Sequence, residues 1–189
     1  MKKLSIVSAA MGLAFIGSAS AADITVYYSP TCPHCHHARD FINNTLIYEY
    51  PTIKVTEVNV MDQANLEKFQ QTLEKCKFES GGVPVIVIGD KCEQGYADFM
   101  QDTLRQHVEA DMSDADKKAA AENKAEMEKD AEGFKAANAD RANAVSEYNA
   151  AEAAAAAEKG GNSTIWFWGL LVVLVAGLGF VLVKKGKRN

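Results

Sequence analysis

The sequence predicts an α/β fold over residues 23–108, a central mixed sheet flanked by helices in the order β-α-β-α-β-β-α. Three observations carry this. The runs 24–28, 53–60 and 85–88 are β-branched, aromatic or apolar and read as strands. The first β-α-β unit requires a right-handed crossover and hence a parallel strand pair. Gly89-Asp90 is a tight-turn pair, which brings a short last strand back antiparallel at an edge.

The elements follow in order. Ile24-Thr25-Val26-Tyr27-Tyr28 is the first strand, and Ser29-Pro30-Thr31 breaks it. Cys32-Pro33-His34-Cys35 opens a helix running to about Tyr48. Pro33 suits a first helical position, where its missing N–H has no intrahelical partner to lose. After the strand 53–60, Asp62 is a good N-cap for the next helix. There Leu66, Phe69, Leu73 and Cys76 recur at three- and four-residue spacing and share one face. Gly81-Gly82 ends that region, Val85–Ile88 is a buried strand, and Lys91–Glu93 is its hairpin partner. Tyr96 to about Val108 reads as a closing helix.

The two ends of the chain read differently. Met1-Lys2-Lys3, an apolar run from Leu4 to about Ile16, and Ala19-Ser20-Ala21 match a secretory signal, so residues 1–22 are expected to be removed. Ile165–Val183 carries no charge and is long enough to span a bilayer as a helix. Trp166 and Trp168 stand at its start, and Lys184, Lys185, Lys187 and Arg188 follow it. The positive residues place the C-terminus in the cytoplasm and the rest of the chain outside. The expected organisation is a signal (1–22), a globular head (23–110), a stalk or linker (111–162), a transmembrane helix (163–184) and a basic cytoplasmic tail (185–189). The expected location is a bacterial inner membrane, single pass, with the head on the periplasmic side. The formal net charge of the 189 residues is −5. No basic patch marks the exported part, which excludes a nucleic-acid footprint.

Four cysteines, Cys32, Cys35, Cys76 and Cys92, lie in the expected head. A thiolate, not a thiol, attacks a disulfide. Cys32 follows a strand and opens a helix, so free backbone N–H groups and the positive end of the helix dipole face its sulfur. His34 adds a hydrogen bond or positive charge when protonated. Cys35 lies one turn on, more buried, as the resolving thiol. Cys76 and Cys92 are open to a structural disulfide, two buried thiols, or a second redox pair. Cys32, His34, Cys35, His36 and His37 also form a dense group of soft and imidazole donors, suited to copper or zinc. Consecutive His36 and His37 on a helix point in different directions, and no native metal is expected.

The segment Val26-Tyr-Tyr-Ser-Pro-Thr-Cys-Pro-His-Cys35 resembles the active-site segment of the glutaredoxins, within the thioredoxin superfamily. Gly82-Val83-Pro84-Val85-Ile86-Val87-Ile88-Gly89 resembles the stretch that in this family holds a cis-proline facing the active site. The resemblance implies a thioredoxin-like fold, thiol–disulfide exchange without a bound cofactor, and a cis Val83–Pro84 bond leaving the Val83 backbone free to pair with an extended substrate. Pro33-His34 is the dipeptide of DsbA-type thiol oxidants, which implies an acidic Cys32. Three departures matter. Glu93-Gln94-Gly95-Tyr96-Ala97-Asp98 matches the glutathione-binding region only at Gly95 and Asp98, which argues against glutathione. Val26 stands where thioredoxins carry a buried carboxylate. The chain has no room for the helical insertion of DsbA.

From Ser113 to Lys159 the chain is rich in helix formers, and Ser113-Asp114-Ala115-Asp116 resembles a capping box. A continuous helix there would be roughly 70 Å long, bent at Gly133, a spacer between head and membrane. Met127, Phe134 and Tyr148 fall at multiples of seven, but Arg141 interrupts the repeat, so no coiled coil is expected. The expected function is membrane-anchored exchange of disulfides with protein substrates, with a membrane redox partner. The competing readings are a metal-handling protein and a non-catalytic adaptor that binds extended segments.

Overall fold

The computed structural model describes residues 23–155. The strands are β1 (Asp23–Tyr28), β2 (Lys54–Asn59), β3 (Val85–Ile88), β4 (Lys91–Gln94) and β5 (Val145–Glu147). The helices are α1 (Pro33–Phe41), α2 (Ile47–Glu49), α3 (Leu66–Cys76), α4 (Gln101–Glu109), α5 (Asp114–Lys129) and α6 (Ala131–Ala137). A π-helical turn, Ile42–Leu46, joins α1 to α2, so the chain is helical without interruption from Pro33 to Glu49. The sheet order is β4-β3-β1-β2-β5. β1 and β2 are parallel, with Val26 opposite Glu57, and β3 runs antiparallel to both β1 and β4. This is the expected thioredoxin-like α/β order, with one strand more.

Side-chain alternation along β1 divides the core. Ile24 and Val26 face α1, α2 and α4, in a cluster with Leu46, Ile86 and Leu104. Tyr27 faces α3, with Val58, Phe69 and Val85. Each fully buried aliphatic side chain adds about 1.5–3 kcal/mol relative to exposure. Asp62 accepts from the Ala64 N–H, but the turn it caps is a 3-10 turn leading into α3 rather than α3 itself. The turn after β3 is the expected one, with Gly89 at φ 59°, a conformation that costs glycine nothing.

The expected stalk is helical only in part, and it does not project. After Val108 the chain turns back onto the head. Ala120 of α5 is buried, and Met127, Phe134 and Val145 pack against the core. Asn123 Nδ2 donates to the Glu49 carbonyl at 3.1 Å. β5 then pairs in parallel with β2, Val55 opposite Val145 and Glu57 opposite Glu147. The physical reason is the edge: without β5, β2 would present a row of unpaired N–H and C=O groups. The widely spaced apolar residues that make a poor heptad are enough to seat one helix on a preformed surface. The break between α5 and α6 falls at Asp130, not Gly133. Asp130 Oδ1 accepts from the Gly133 N–H, and a Cβ on Gly133 would lie 2.1 Å from Asp130 Oδ2. Ser113 caps α5 as expected, accepting from the Asp116 N–H at 3.2 Å.

Among the described residues no helix is long and apolar enough to cross a membrane. The signal over 1–22, the membrane segment over 163–184 and the tail over 185–189 lie outside the described residues.

Candidate active site

The chain leaves β1 at Tyr28 and turns through Ser29-Pro30-Thr31, with the Cys32 N–H donating to the Ser29 carbonyl at 3.1 Å. Cys32 is the N-cap of α1, in extended backbone conformation, and Pro33 occupies the first helical position. An N-cap side chain normally offers an oxygen to the first free amides of a helix. Here the Cys32 sulfur does so, accepting from the Cys35 N–H at 3.2 Å. Cys35 is 1% exposed, whereas Cys32 is half-buried, so only the first sulfur of the pair is open to another molecule. Both are free thiols. Burial, above all, and the hydrogen bond to Cys32 push the Cys35 thiol up to about 12. The positive charge of Arg39, one turn further along α1, acts against that rise.

The Val83–Pro84 bond is cis. The Cys32 Sγ–H donates to the Val83 carbonyl at 3.5 Å, so the loop before β3 faces the exposed cysteine. Two features hold that loop. Gln94 Nε2 donates to the Ser80 and Gly82 carbonyls at 2.8 and 3.0 Å, and the Gly95 N–H donates to the Pro84 carbonyl at 2.7 Å. Cys76 and Cys92 form a disulfide, with Cα atoms 5.8 Å apart, joining the end of α3 to β4. Of the three possibilities for this pair, the structure shows the disulfide, and its place at the base of the loop makes it a strut.

His34, His36 and His37 are exposed on α1. The His36 Nε2–H donates to the Pro30 carbonyl at 2.8 Å, which fixes the turn before Cys32. Among the described residues no group of three or more His, Cys, Asp or Glu is placed to hold a metal ion. A concavity among the described residues, lined by Asp23, Thr25, Lys68, Thr72, Lys75 and His107 among others, includes neither Cys32 nor Cys35.

One group of residues lay beyond the sequence reading. Glu57, on β2 directly opposite Val26, is buried and pairs with Arg39. Asn43 Nδ2 donates to the other Glu57 oxygen at 2.7 Å. The Arg39 guanidinium lies 4.0 Å from the centre of the Tyr28 ring, and the Tyr28 hydroxyl donates to Glu147 at 2.9 Å. A carboxylate absent from the Val26 position thus sits on the neighbouring strand, engaged by a cation one turn from Cys35. The available signal was the alternation of β2: Val55 and Glu57 share the core face, and a buried acid at such a position needs a cation.

Residues 24–93 match the glutaredoxin family model. This stretch is a glutaredoxin-like domain of the thioredoxin superfamily. No curated protein matches the chain. Among solved structures, a glutaredoxin from Archaeoglobus fulgidus is similar at 22% identity, with a TM-score of 0.35, covering 51% of this chain and 94% of that one.

Proposed function

We propose that the chain is a membrane-anchored, extracytoplasmic thiol–disulfide oxidoreductase. In this reading Cys32 is the nucleophile, Cys35 the resolving thiol, and the backbone of Val83 the edge on which an extended protein substrate is held. The observation that carries it is the asymmetry of the pair: a half-buried Cys32 capping a helix beside a buried Cys35, under a cis Val83–Pro84 loop.

The chemistry follows from that asymmetry. The Cys32 thiolate attacks a substrate disulfide, forming one S–S bond and releasing one substrate thiolate, which takes up a proton. Cys35 then loses its proton and attacks the Cys32 sulfur, forming the Cys32–Cys35 disulfide and releasing the second substrate thiol. The substrate gains two electrons and the protein loses two; every step is reversible. The high proton affinity of Cys35 keeps it out of the first step, so Cys32 alone initiates. Arg39 eases the later loss of the Cys35 proton. The DsbA-type dipeptide Pro33-His34 favours the reverse direction, in which a substrate thiolate attacks Cys32 of the Cys32–Cys35 disulfide, the substrate loses two electrons, and a membrane redox partner takes them from the reduced pair.

Anchoring rests on the uncharged run 165–183 and its basic flank, and export on the signal pattern of residues 1–22. The test is the reduction potential of the Cys32–Cys35 couple in the full chain, equilibrated with glutathione buffers. A potential at or above that of the glutathione pool identifies an oxidant or isomerase, and one far below it a reductant. A pair that resists reduction under native conditions is structural, and the enzyme reading is then wrong.

A further inference from the structure

The ring closed by the Cys76–Cys92 disulfide contains the loop that faces Cys32. Between the two cysteines run residues 77–91, which include the whole approach to Val83–Pro84 and all of β3. Lys77, left-handed at φ 58°, turns the chain out of α3 into that loop. Phe78 and Val83 pack, partly buried, against the smaller cluster around Tyr27 and Phe69. Cys92 stands opposite Val87 on β4, and Gln94, two residues on, bonds the Ser80 and Gly82 carbonyls. The disulfide therefore joins the entry of the loop to the strand that holds it.

Three observations set this bond apart from a buried staple. Both cysteines are half-buried, so a thiolate in solution can reach them. Neither belongs to either buried cluster, whose aliphatic and aromatic side chains make the core without them. The two bonds from Gln94 to the loop are exposed, where such bonds contribute little net stability. The bond from the Gly95 N–H to the Pro84 carbonyl holds only the exit of the loop. Opening the disulfide thus leaves the core in place and removes the strongest tie on the loop's entry.

The pair does not lie where it could trade electrons with the active site directly. Cys32 is at the Val83 end of the segment, its sulfur 3.5 Å from the Val83 carbonyl. Cys92 is opposite Val87, four residues further, or about 13 Å along an extended chain. Exchange requires a thiolate in contact with the sulfur it attacks. Within the folded head the second pair therefore acts on the loop and not as a relay to Cys32.

We infer that Cys76–Cys92 is a second, exchangeable disulfide site, opened by small thiols of the glutathione class, and that its state sets how well the Val83–Pro84 loop holds a protein substrate. This rests on the oxidoreductase reading. The thiolate of one small thiol attacks one sulfur of the pair; a mixed disulfide forms, and the other cysteine leaves as a thiolate and takes up a proton. A second small thiol attacks the mixed disulfide and releases the first cysteine, which is protonated in turn. The pair gains two electrons and two protons, and the two small thiols end as one disulfide. With the pair bonded, the loop is presented ready-formed to an extended chain. With the pair open, the loop must be ordered on binding, which weakens the hold on a protein and leaves a small thiol, which needs no strand contact, unaffected.

The first measurement uses the full chain with Cys32→Ser and Cys35→Ser, so that only the second pair titrates. It is equilibrated with glutathione buffers, and free thiols are alkylated and counted by mass. The pair should be half open near the poise of the glutathione pool, with the circular dichroism of the folded protein retained. A bond that stays closed across the glutathione range, or opens only as the protein unfolds, is structural and overturns the inference. The second measurement starts from the disulfide form of the full chain, with and without Cys76→Ser and Cys92→Ser, and follows opening of Cys32–Cys35. Opening by reduced, unfolded ribonuclease should be about five- to tenfold slower in the variant, and opening by 2-mercaptoethanol unchanged. Hydrogen exchange in the variant should quicken over residues 77–84 and not along β1. Equal rates with ribonuclease, or equal slowing with both thiols, overturn the inference while exchange stands. A variant that does not fold overturns it too, since a switch needs a folded open state. If Cys32–Cys35 of the parent chain opens with neither thiol, the oxidoreductase reading itself falls.

Discussion

Replacing Glu57 by Gln separates two effects that the buried pair beneath α1 exerts at once. The Glu57 side chain is 4% exposed and that of Arg39 is 28% exposed. The amide of Glu57→Gln would keep the size of the side chain and could still bond Asn43, but it would leave Arg39 without its counter-charge. Removing one partner of a fully buried pair costs about 3–5 kcal/mol. Arg39 retains some contact with water and with the Tyr28 ring, so the expected loss is smaller, about 2–3 kcal/mol. The second effect concerns Cys35. Arg39 already lowers the proton affinity of that thiol, and Glu57 offsets part of the arginine's charge. Without Glu57 the Cys35 thiol should move down from about 12. Urea denaturation of the reduced protein measures the first effect. The pH dependence of thiolate absorbance, in a Cys32→Ala background, measures the second. A stability loss below about 1 kcal/mol would mean that the pair is not functioning as a buried ion pair. An upward movement of Cys35 would refute the electrostatic link from β2 to the resolving thiol.

Three further outcomes follow from particular contacts. Cys76→Ser with Cys92→Ser opens a cross-link spanning 16 residues, which should cost about 3 kcal/mol, read from the shift in denaturant midpoint. The same change should slow exchange with protein substrates more than with small disulfides, because the Val83–Pro84 loop loses its strut. The dithiol protein should lose stability as pH rises from 9 towards 12, read by urea denaturation across that range. The folded state holds the Cys35 proton more tightly than the unfolded chain there, so unfolding releases it and is favoured by high pH. Cys35→Ala should lack that component. Truncation after Met112 removes β5 and the apolar contacts of Met127, Phe134 and Val145, and should cost about 3 kcal/mol from partly buried side chains alone. Hydrogen exchange should then speed up along β2 rather than β3, and unchanged β2 protection would refute the pairing with β5.

Much of the fold was legible locally. β-branched runs, the Gly89-Asp90 turn and the strand–break–helix pattern around Cys32 are set by residues close in sequence, and the strands and helices formed within a few positions of where those signals stand. The N-cap position of Cys32 and the burial of Cys35 likewise follow from a helix that opens at Pro33: one sulfur meets the free amides and the other turns inward a few residues later. What the sequence could not settle depends on long-range contact. Cys76 and Cys92 are bonded because α3 ends beside β4, which no spacing states. Glu57 is an ordinary strand acid until the sheet places it opposite Val26 and above Arg39. The segment after Ser113 carries strong helix propensity and too few apolar residues to form a core of its own, so taken alone it reads as a stalk. Only the folded head supplies the bare edge of β2 and the shallow surface beside α2 against which those few residues are enough. Propensity set its helices, and the unpaired edge of another strand decided where they lie.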